Sequence, residues 1–173
     1  MAVIEAIETT YLETSSATSV IFSSIPATYE HLQLRISCHD LYAAGYDWVY
    51  LRLNTDNGTN YSSHSVDGYS NSEATTAETG KTYARLGVNV GAWQTVGAVF
   101  FSPVVIDIFD YASTNKTTTM TGLGGISGPS NYLRWSSSLW EDTAAVNRIE
   151  VYVMYDQPWQ RGTSLTLYGL NSS

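Results

Sequence analysis

The segment FSSIPATYEHLQLRISCH, residues 22–39, carries the clearest structural signal in the chain. Apolar and polar side chains alternate strictly over residues 31–39, which is typical of a β-strand with one face on a core and one in water. Before this strand, Pro26 keeps Ile25 extended and offers no backbone donor, which predicts a corner or a strand entrance. The apolar face of the predicted strand consists of Leu32, Leu34, Ile36 and Cys38.

Working outward, we find about nine or ten short strands separated by turns of Gly, Asn, Pro and Ser, and no amphipathic helix. This pattern predicts an all-β fold in which residues 1–173 form a single-domain β-sandwich, jelly-roll-like in topology. The inward positions that we expect to form the core are Leu32, Leu34, Ile36, Leu51, Leu53, Ile106, Ile108, Ile149, Val151, Val153, Leu165 and Leu167.

Two stretches are expected to be loops instead. Residues 61–80 are rich in Ser, Asn, Thr and Glu, and long loops in compact domains are often functional or ordered by a partner. Residues 122–129, GLGGISGP, read as a flexible glycine loop. Between the strands near residues 48–54 and this region, the Asn-Gly pair at residues 57–58 predicts a tight turn.

The composition favours a polar, weakly charged surface. The chain has 173 residues, is 43% hydrophobic and only 14% charged, and carries a net charge of −8. Without a basic stripe to neutralise phosphates, we expect no nucleic-acid partner. No stretch approaches the roughly 20 apolar residues of a membrane span, and the first residues do not resemble a signal peptide. Cys38 is the only cysteine and is expected to be a small buried hydrophobe.

Ionisable groups suggest no catalytic, cofactor or metal site. His31 and His39 share a strand face but lie roughly 26 Å apart along it, too far to hold one ion. Oxygen-bearing side chains surround Gly58 at residues 54–60, but their spacing differs from that of an EF-hand loop, and a plain hairpin turn is the alternative. Asp107 and Asp110 would point to opposite faces of a strand. We therefore predict a protein that is not an enzyme.

Aromatic side chains are the remaining candidates for function. Rings such as those of Trp135, Trp140 and Trp159 can pack in a core, anchor a protein interface or stack on a glycan. Residues 1–13 add apolar groups and three glutamates without a basic residue, and they form either a first strand or an N-terminal arm that docks on a basic surface. The candidate interface residues are Val3, Ile4, Ile7, Tyr11, Tyr42, Tyr46, Trp48, Tyr61 and Tyr69.

Four blocks of sequence resemble structural proteins of tailed bacteriophages, especially marine and cyanobacterial ones. The first block is FSSIPATYEHLQLR at residues 22–35, and the second combines LRLN at residues 51–54 with NYSSH at residues 60–64. The others are IDIFDYASTNK at residues 106–116 and LTLYGL at residues 165–170. Together they span nearly the whole chain, from about residue 10 to residue 170.

The resemblance implies a non-enzymatic virion protein that is assembled in the bacterial cytoplasm. The chain lacks the long shaft of a complete fibre, so we expect a capsid decoration (cement) protein on the capsid surface, bound to the major capsid protein. Symmetry of an icosahedral shell favours a homotrimer at threefold positions. The alternative is a tail or fibre module that binds a receptor or a glycan.

Overall fold

The computed structural model describes residues 3–42, 45–90, 100–127 and 131–172, and all regular secondary structure in them is β-strand. The expected all-β class is therefore confirmed. The strands are β1 (Val3–Tyr11), β2 (Ser19–Phe22), β3 (His31–Cys38), β4 (Tyr46–Leu53), β5 (Tyr61–Tyr69), β6 (Ser72–Lys81), β7 (Ala84–Val90), β8 (Ser102–Phe109), β9 (Thr118–Ile126), β10 (Tyr132–Trp140), β11 (Ile149–Val153) and β12 (Ser164–Asn171).

The strands form two antiparallel sheets that pack face to face. The first sheet has eight strands in the order β1-β12-β3-β8-β9-β10-β5-β6, and the second has four in the order β2-β11-β4-β7. The first strand pairs with the last and the second with the second-last, as in a jelly roll. The hairpin β5–β6 and the pair β9–β10 are additions to that roll, and both extend the eight-stranded sheet on one side.

The strand predicted from the opening segment lies inside the eight-stranded sheet. β3 pairs with β12 on one side and with β8 on the other. Its apolar face points into the sandwich, and the Cys38 thiol lies there, where burial raises its pKa. All twelve residues predicted for the core are buried, so the predicted core is confirmed.

The proline corner is also found between β2 and β3. Ile25 is buried and its backbone N–H donates to the carbonyl of Asn147 at 3.0 Å. The Tyr111 hydroxyl donates to the carbonyl of Pro26. These two contacts tie the corner to loops that follow other strands, so the extended entrance leads directly into β3.

The prediction of a loop at residues 61–80 is wrong, because this stretch forms the hairpin β5–β6. Its inward side chains are polar, which hid the alternation from a hydropathy pattern. Ser63 and Ser65 are buried and hydrogen-bonded to other polar groups of the sandwich. A strand can therefore bury hydroxyls without an apolar face when each finds a partner.

The glycine loop predicted for residues 122–129 is wrong as well, although residues 128 and 129 lie outside the described part of the chain. Residues 118–126 form β9, paired with β8 and β10. Its glycines leave room for β7, which crosses the inner face. A Cβ atom at Gly122 would lie 1.9 Å from the carbonyl oxygen of Leu86.

The hairpin turn predicted at Asn57-Gly58 is not found, because β4 and β5 lie in different sheets. The connection has a turn at residues 53–56, where the Asp56 N–H donates to the carbonyl of Leu53 at 2.9 Å, and Asp56 organises it. The Asp56 carboxylate accepts hydrogen bonds from the Gly58 backbone at 2.7 Å and from the Asn60 side-chain amide at 2.9 Å. It also accepts one from the indole N–H of Trp140 at 2.7 Å. Since these donors satisfy the carboxylate, the turn is explained by hydrogen bonding alone.

We expect Ile106→Ala to lower the free energy of unfolding by about 2–5 kcal/mol, because it leaves a cavity in the core. Ile106 is fully buried in β8. Ile21 lies on β2 with its side chain exposed, so Ile21→Ala is the matched control and should cost less than about 0.5 kcal/mol. Urea unfolding of both variants measures the difference, and equal losses would contradict the predicted core.

Candidate interaction surfaces

The N-terminal segment is the first strand of the protein's own sheet and not a separate arm. β1 lies at the edge and pairs with β12, with a bulge between Ala6 and Glu8. Val3, Ile4 and Tyr11 are exposed on it, whereas Ile7 is half-buried against the core. No described strand pairs with the other side of β1, which is therefore an open strand edge with apolar and acidic side chains beside it.

Three predicted interface residues meet at one end of the sandwich. The rings of Tyr46, Trp48 and Tyr69 surround Tyr132, with centroids 4.8, 5.3 and 5.7 Å from that ring. Tyr46 and Tyr69 are exposed, and Tyr132 is buried between them. Burial raises the pKa of Tyr132 to about 12, so its hydroxyl stays neutral. We call these four residues the aromatic end cluster.

A buried ion pair supports the aromatic end cluster from below. The guanidinium of Arg134 donates to both carboxylate oxygens of Asp67, at 2.7 and 2.6 Å. Its central carbon lies 3.9 Å from the centre of the Trp48 ring. Both charged side chains are almost fully buried. The pair fixes the Trp48 ring in place and joins β5 to β10 beneath the cluster.

Two other predicted interface residues are engaged within the chain. Tyr61 is fully buried, and its hydroxyl accepts a hydrogen bond from the backbone of Leu53 at 2.9 Å. As an interface residue Tyr61 is therefore a wrong prediction, since no partner can reach its ring. Tyr42 is half-buried and stacks on Tyr155 at 4.1 Å.

A larger exposed apolar surface lies on the outer face of the sheet extension. One register row carries Val105 of β8, Leu123 of β9, Trp135 of β10 and Val66 of β5. Leu133 lies beside this row. The side chain of Trp135 is 68% exposed, and those of Leu133 and Leu123 are 57% and 52% exposed. We call Val66, Val105, Leu123, Leu133 and Trp135 the outer platform.

Polar side chains border the outer platform on one side. The next register row carries Asp107, Thr121, Ser137 and His64 on the same four strands. A shallow hollow of about 220 Å³ lies between Trp135 and this row. On the other side of the platform, a groove of about 850 Å³ runs past Leu133 toward Tyr69.

Only Trp135 of the outer platform belonged to the aromatic rings singled out from the sequence. Val66 and Leu123 were hidden because their stretches were predicted to be loops. Alternation along residues 132–140 could have revealed the platform, because it places Leu133 and Trp135 on the face opposite to Tyr132. Both faces of β10 contain an aromatic ring, so hydropathy did not identify the inward one.

Ionisable side chains form no metal-binding group among the described residues. His31 and His39 each have their own backbone partner, the Asp110 N–H and the Phe100 carbonyl. No helix in the described part of the chain is long and apolar enough to cross a membrane. Among the described residues, the surfaces above are therefore the candidate functional sites.

His39 should make the fold less stable in mild acid. Burial lowers its pKa from the ordinary value, so the folded state keeps the ring neutral. As the pH falls below about 6.5, the unfolded chain takes up a proton that the folded state resists, and the free energy of unfolding decreases. Urea unfolding at about pH 7.5 and about pH 5.5 should show a smaller decrease for His39→Asn. An identical decrease in both proteins would contradict this assignment.

Comparison with known proteins adds no assignment. No protein-family model matches this chain, and no curated protein matches it.

Proposed function

We propose that this chain is a non-enzymatic capsid decoration protein of a tailed bacteriophage, bound to the major capsid protein on the outside of the shell. The observation that carries the proposal is the open edge of β1. An exposed strand edge presents unpaired backbone groups that a neighbouring chain can extend. A protein that stabilises a shell needs such a contact surface for its neighbours.

Charge along β1 supports a basic partner. Glu5 and Glu8 lie on this strand, and residues 1–13 contain no Lys or Arg. Glu5 accepts a hydrogen bond from the Tyr29 hydroxyl at 2.9 Å, while Glu8 is exposed. Complementary charge speeds association and selects partners. We therefore propose that β1 docks beside a basic strand or loop of the capsid protein.

Three of the four resembling sequence blocks lie together in the fold, whereas residues 51–54 and 60–64 lie at the end of β4, in the other sheet, and at the start of β5. Residues 22–35 lead into β3, residues 106–116 begin in β8, and residues 165–170 lie in β12. These three strands are neighbours in the eight-stranded sheet. The likeness to virion proteins therefore covers one continuous layer next to β1, which is consistent with a shared structural role.

We also propose a homotrimer at the threefold positions of the shell. A closed ring of copies requires one surface of each copy to meet a different surface of the next. The aromatic end cluster suits such a contact, since Tyr46 and Tyr69 are exposed rings held on rigid strands. Rings of this kind are common anchors in interfaces.

Docking through the free edge of β1 is tested by measuring how the purified protein binds to undecorated shells. The double variant Ile4→Lys, Glu8→Lys places positive charge on the exposed side of β1 and should weaken binding at least about tenfold. The double variant Ser72→Lys, Glu73→Lys is the matched control, because it changes the charge by the same amount at exposed positions of β6, at the opposite edge of the same sheet. Equal binding by the unaltered protein, the β1 variant and the control variant would contradict docking through β1. Failure of the unaltered protein to bind shells would contradict the function itself.

A tail module that binds a receptor glycan is the second candidate function. The observation in its favour is Trp135, an exposed ring beside the polar side chains of Thr121, Ser137 and His64. Such a ring could stack on a sugar while its neighbours bond the hydroxyls. A tail protein would be present in few copies per particle, and reproducible hits on a glycan array would support it.

A further inference from the structure

No element within the described part of the chain covers the outer platform, and we infer that a second copy of this chain covers it. The two copies would stack their extended sheets face to face, about 10 Å apart, as sheets do in sandwiches. They would be related by a twofold axis that runs parallel to the strands, between β9 and β10. This inference does not depend on where the protein is located, and it concerns a contact distinct from the threefold one.

The apolar row fits itself under this rotation. Across the strands its order is Val105, Leu123, Trp135 and Val66. A twofold axis between β9 and β10 reverses this order in the second copy. Leu123 then faces the second copy's Trp135, and Val105 faces the second copy's Val66. Each exposed apolar side chain is thereby opposite another apolar side chain.

The neighbouring row matches large side chains to glycines. In the same strand order it reads Pro103, Gly125, Leu133 and Gly68. The rotation puts Leu133 over the second copy's Gly125 and Pro103 over the second copy's Gly68. A Cβ atom at Gly68 would have no neighbour within 4 Å, so the space above it is open in the single chain. Pro103 therefore faces an open hollow on the other copy, whereas the space above Gly125 is bordered by the chain's own Leu133, whose Cδ1 would lie 3.4 Å from an added Cβ.

The polar row is matched as well. Its order is Asp107, Thr121, Ser137 and His64. The rotation brings Asp107 opposite the second copy's His64, and Thr121 opposite the second copy's Ser137. The Asp107 carboxylate receives one hydrogen bond within the chain, from the Gln33 amide at 2.8 Å, and its other oxygen remains available. An acid and an imidazole then meet at each end of this row.

Other placements of the axis lose this match. An axis on β10 would press Leu133 against Leu133 and Trp135 against Trp135. An axis on β9 would place the charged Arg35, which lies in the same row as Val105, over Val66. An axis perpendicular to the strands would lay Asp107 over Pro103. The position between β9 and β10 is the one that pairs apolar with apolar and polar with polar groups.

The association state of the free protein tests this contact. Four strands and three rows give a footprint of about 19 by 20 Å, which is small for an interface, so sedimentation should cover concentrations up to about 1 mM. We expect the mass to be an even multiple of the chain. Trp135→Gln and Leu133→Gln should weaken the association at least about thirtyfold and halve the mass. Ile21→Gln, at an exposed apolar position on the other sheet, is the matched control and should have no effect.

Gly68→Gln supplies a variant that the single chain should tolerate. Its new side chain points into open space in one copy but occupies the place of the second copy's Pro103. We expect unchanged thermal unfolding of the dissociated chain and loss of the association. This result separates a blocked contact from a damaged fold.

Cysteine cross-linking tests the axis itself. The native Cys38 is fully buried, so reagents in solution react with thiols introduced on the platform and not with Cys38. A mixture of Val66→Cys and Val105→Cys proteins should be joined by a short bismaleimide cross-linker that spans about 10 Å, because facing Cα atoms on sheets at that spacing are too far apart for a disulfide. Val105→Cys protein alone should not be cross-linked. An odd-numbered mass of the unaltered protein, a monomer at every concentration, or a mass that Trp135→Gln leaves unchanged would overturn the inference. A monomer whose glycan binding is lost in Trp135→Gln would overturn it too, in favour of a sugar platform.

Discussion

Asp67→Asn should lower the free energy of unfolding by about 3–5 kcal/mol, because it leaves the Arg134 guanidinium buried without a counter-charge. Both side chains are almost fully buried, and the two hydrogen bonds between them are short. The change keeps the shape of the side chain, so the loss reports the charge and not a cavity. Urea unfolding measures it directly.

Two further variants make this prediction specific. Glu13→Gln removes the ion pair between Glu13 and Arg161, in which both side chains are exposed. This variant should lower the free energy of unfolding by about 0–1 kcal/mol. The double variant Asp67→Leu, Arg134→Met removes both charges and should recover much of the stability that Asp67→Asn loses. Equal losses for Asp67→Asn and Glu13→Gln would contradict a structural role for the buried pair.

Gly122→Ala should destabilise the fold by about 3 kcal/mol, near the upper end for overpacking in a core. The new methyl group would lie 1.9 Å from the carbonyl oxygen of Leu86, so β7 or β9 must move. That carbonyl also accepts a hydrogen bond from the Ser136 hydroxyl at 3.0 Å, which the movement would weaken. Thermal and urea unfolding should both detect the loss.

Gly68→Ala is the control for Gly122→Ala. Gly68 lies on the outer face of β5, where an added Cβ meets no atom within 4 Å. Its substitution should change the free energy of unfolding by less than about 0.5 kcal/mol. If Gly122→Ala were equally harmless, the close crossing of β7 over β9 would be wrong.

The jelly roll could be predicted from the sequence because its strands bury apolar side chains. β3, β8, β11 and β12 alternate with period two, and each has water or polar neighbours on its other face. Alternation of this kind identifies both the strand and its inward face. The proline corner then marked where the chain passes from one sheet to the other, between β2 and β3.

The sheet extension escaped prediction for a physical reason. β5 turns serines and Asp67 inward, and β9 turns Gly122 and Gly124 inward, where hydrogen bonds and close backbone contacts replace apolar packing. β10 buries Arg134 and exposes Trp135. A hydropathy pattern misreads such strands as loops, or assigns the wrong face to the core. Their inward side chains are polar or small and are stabilised by partners that are distant in sequence.

The interaction surfaces could be predicted only in part. Tyr46, Trp48 and Tyr69 were among the aromatic candidates from the sequence, and the structure brings them together around Tyr132. Tyr132 and the ion pair that support them depend on the pairing of β5 with β10. The outer platform required the same pairing. Surface patches are formed by neighbouring strands, so they become visible only when the strand order is known.

The central claim, that this chain decorates a capsid, is tested most directly by counting its copies in purified particles from cells that produce it. Quantitative mass spectrometry relative to the major capsid protein gives that number. The account predicts on the order of hundreds of copies per particle, since a cement protein occupies repeated symmetric sites of the shell. A handful of copies would place the protein in the tail, and its absence from particles would contradict a virion role.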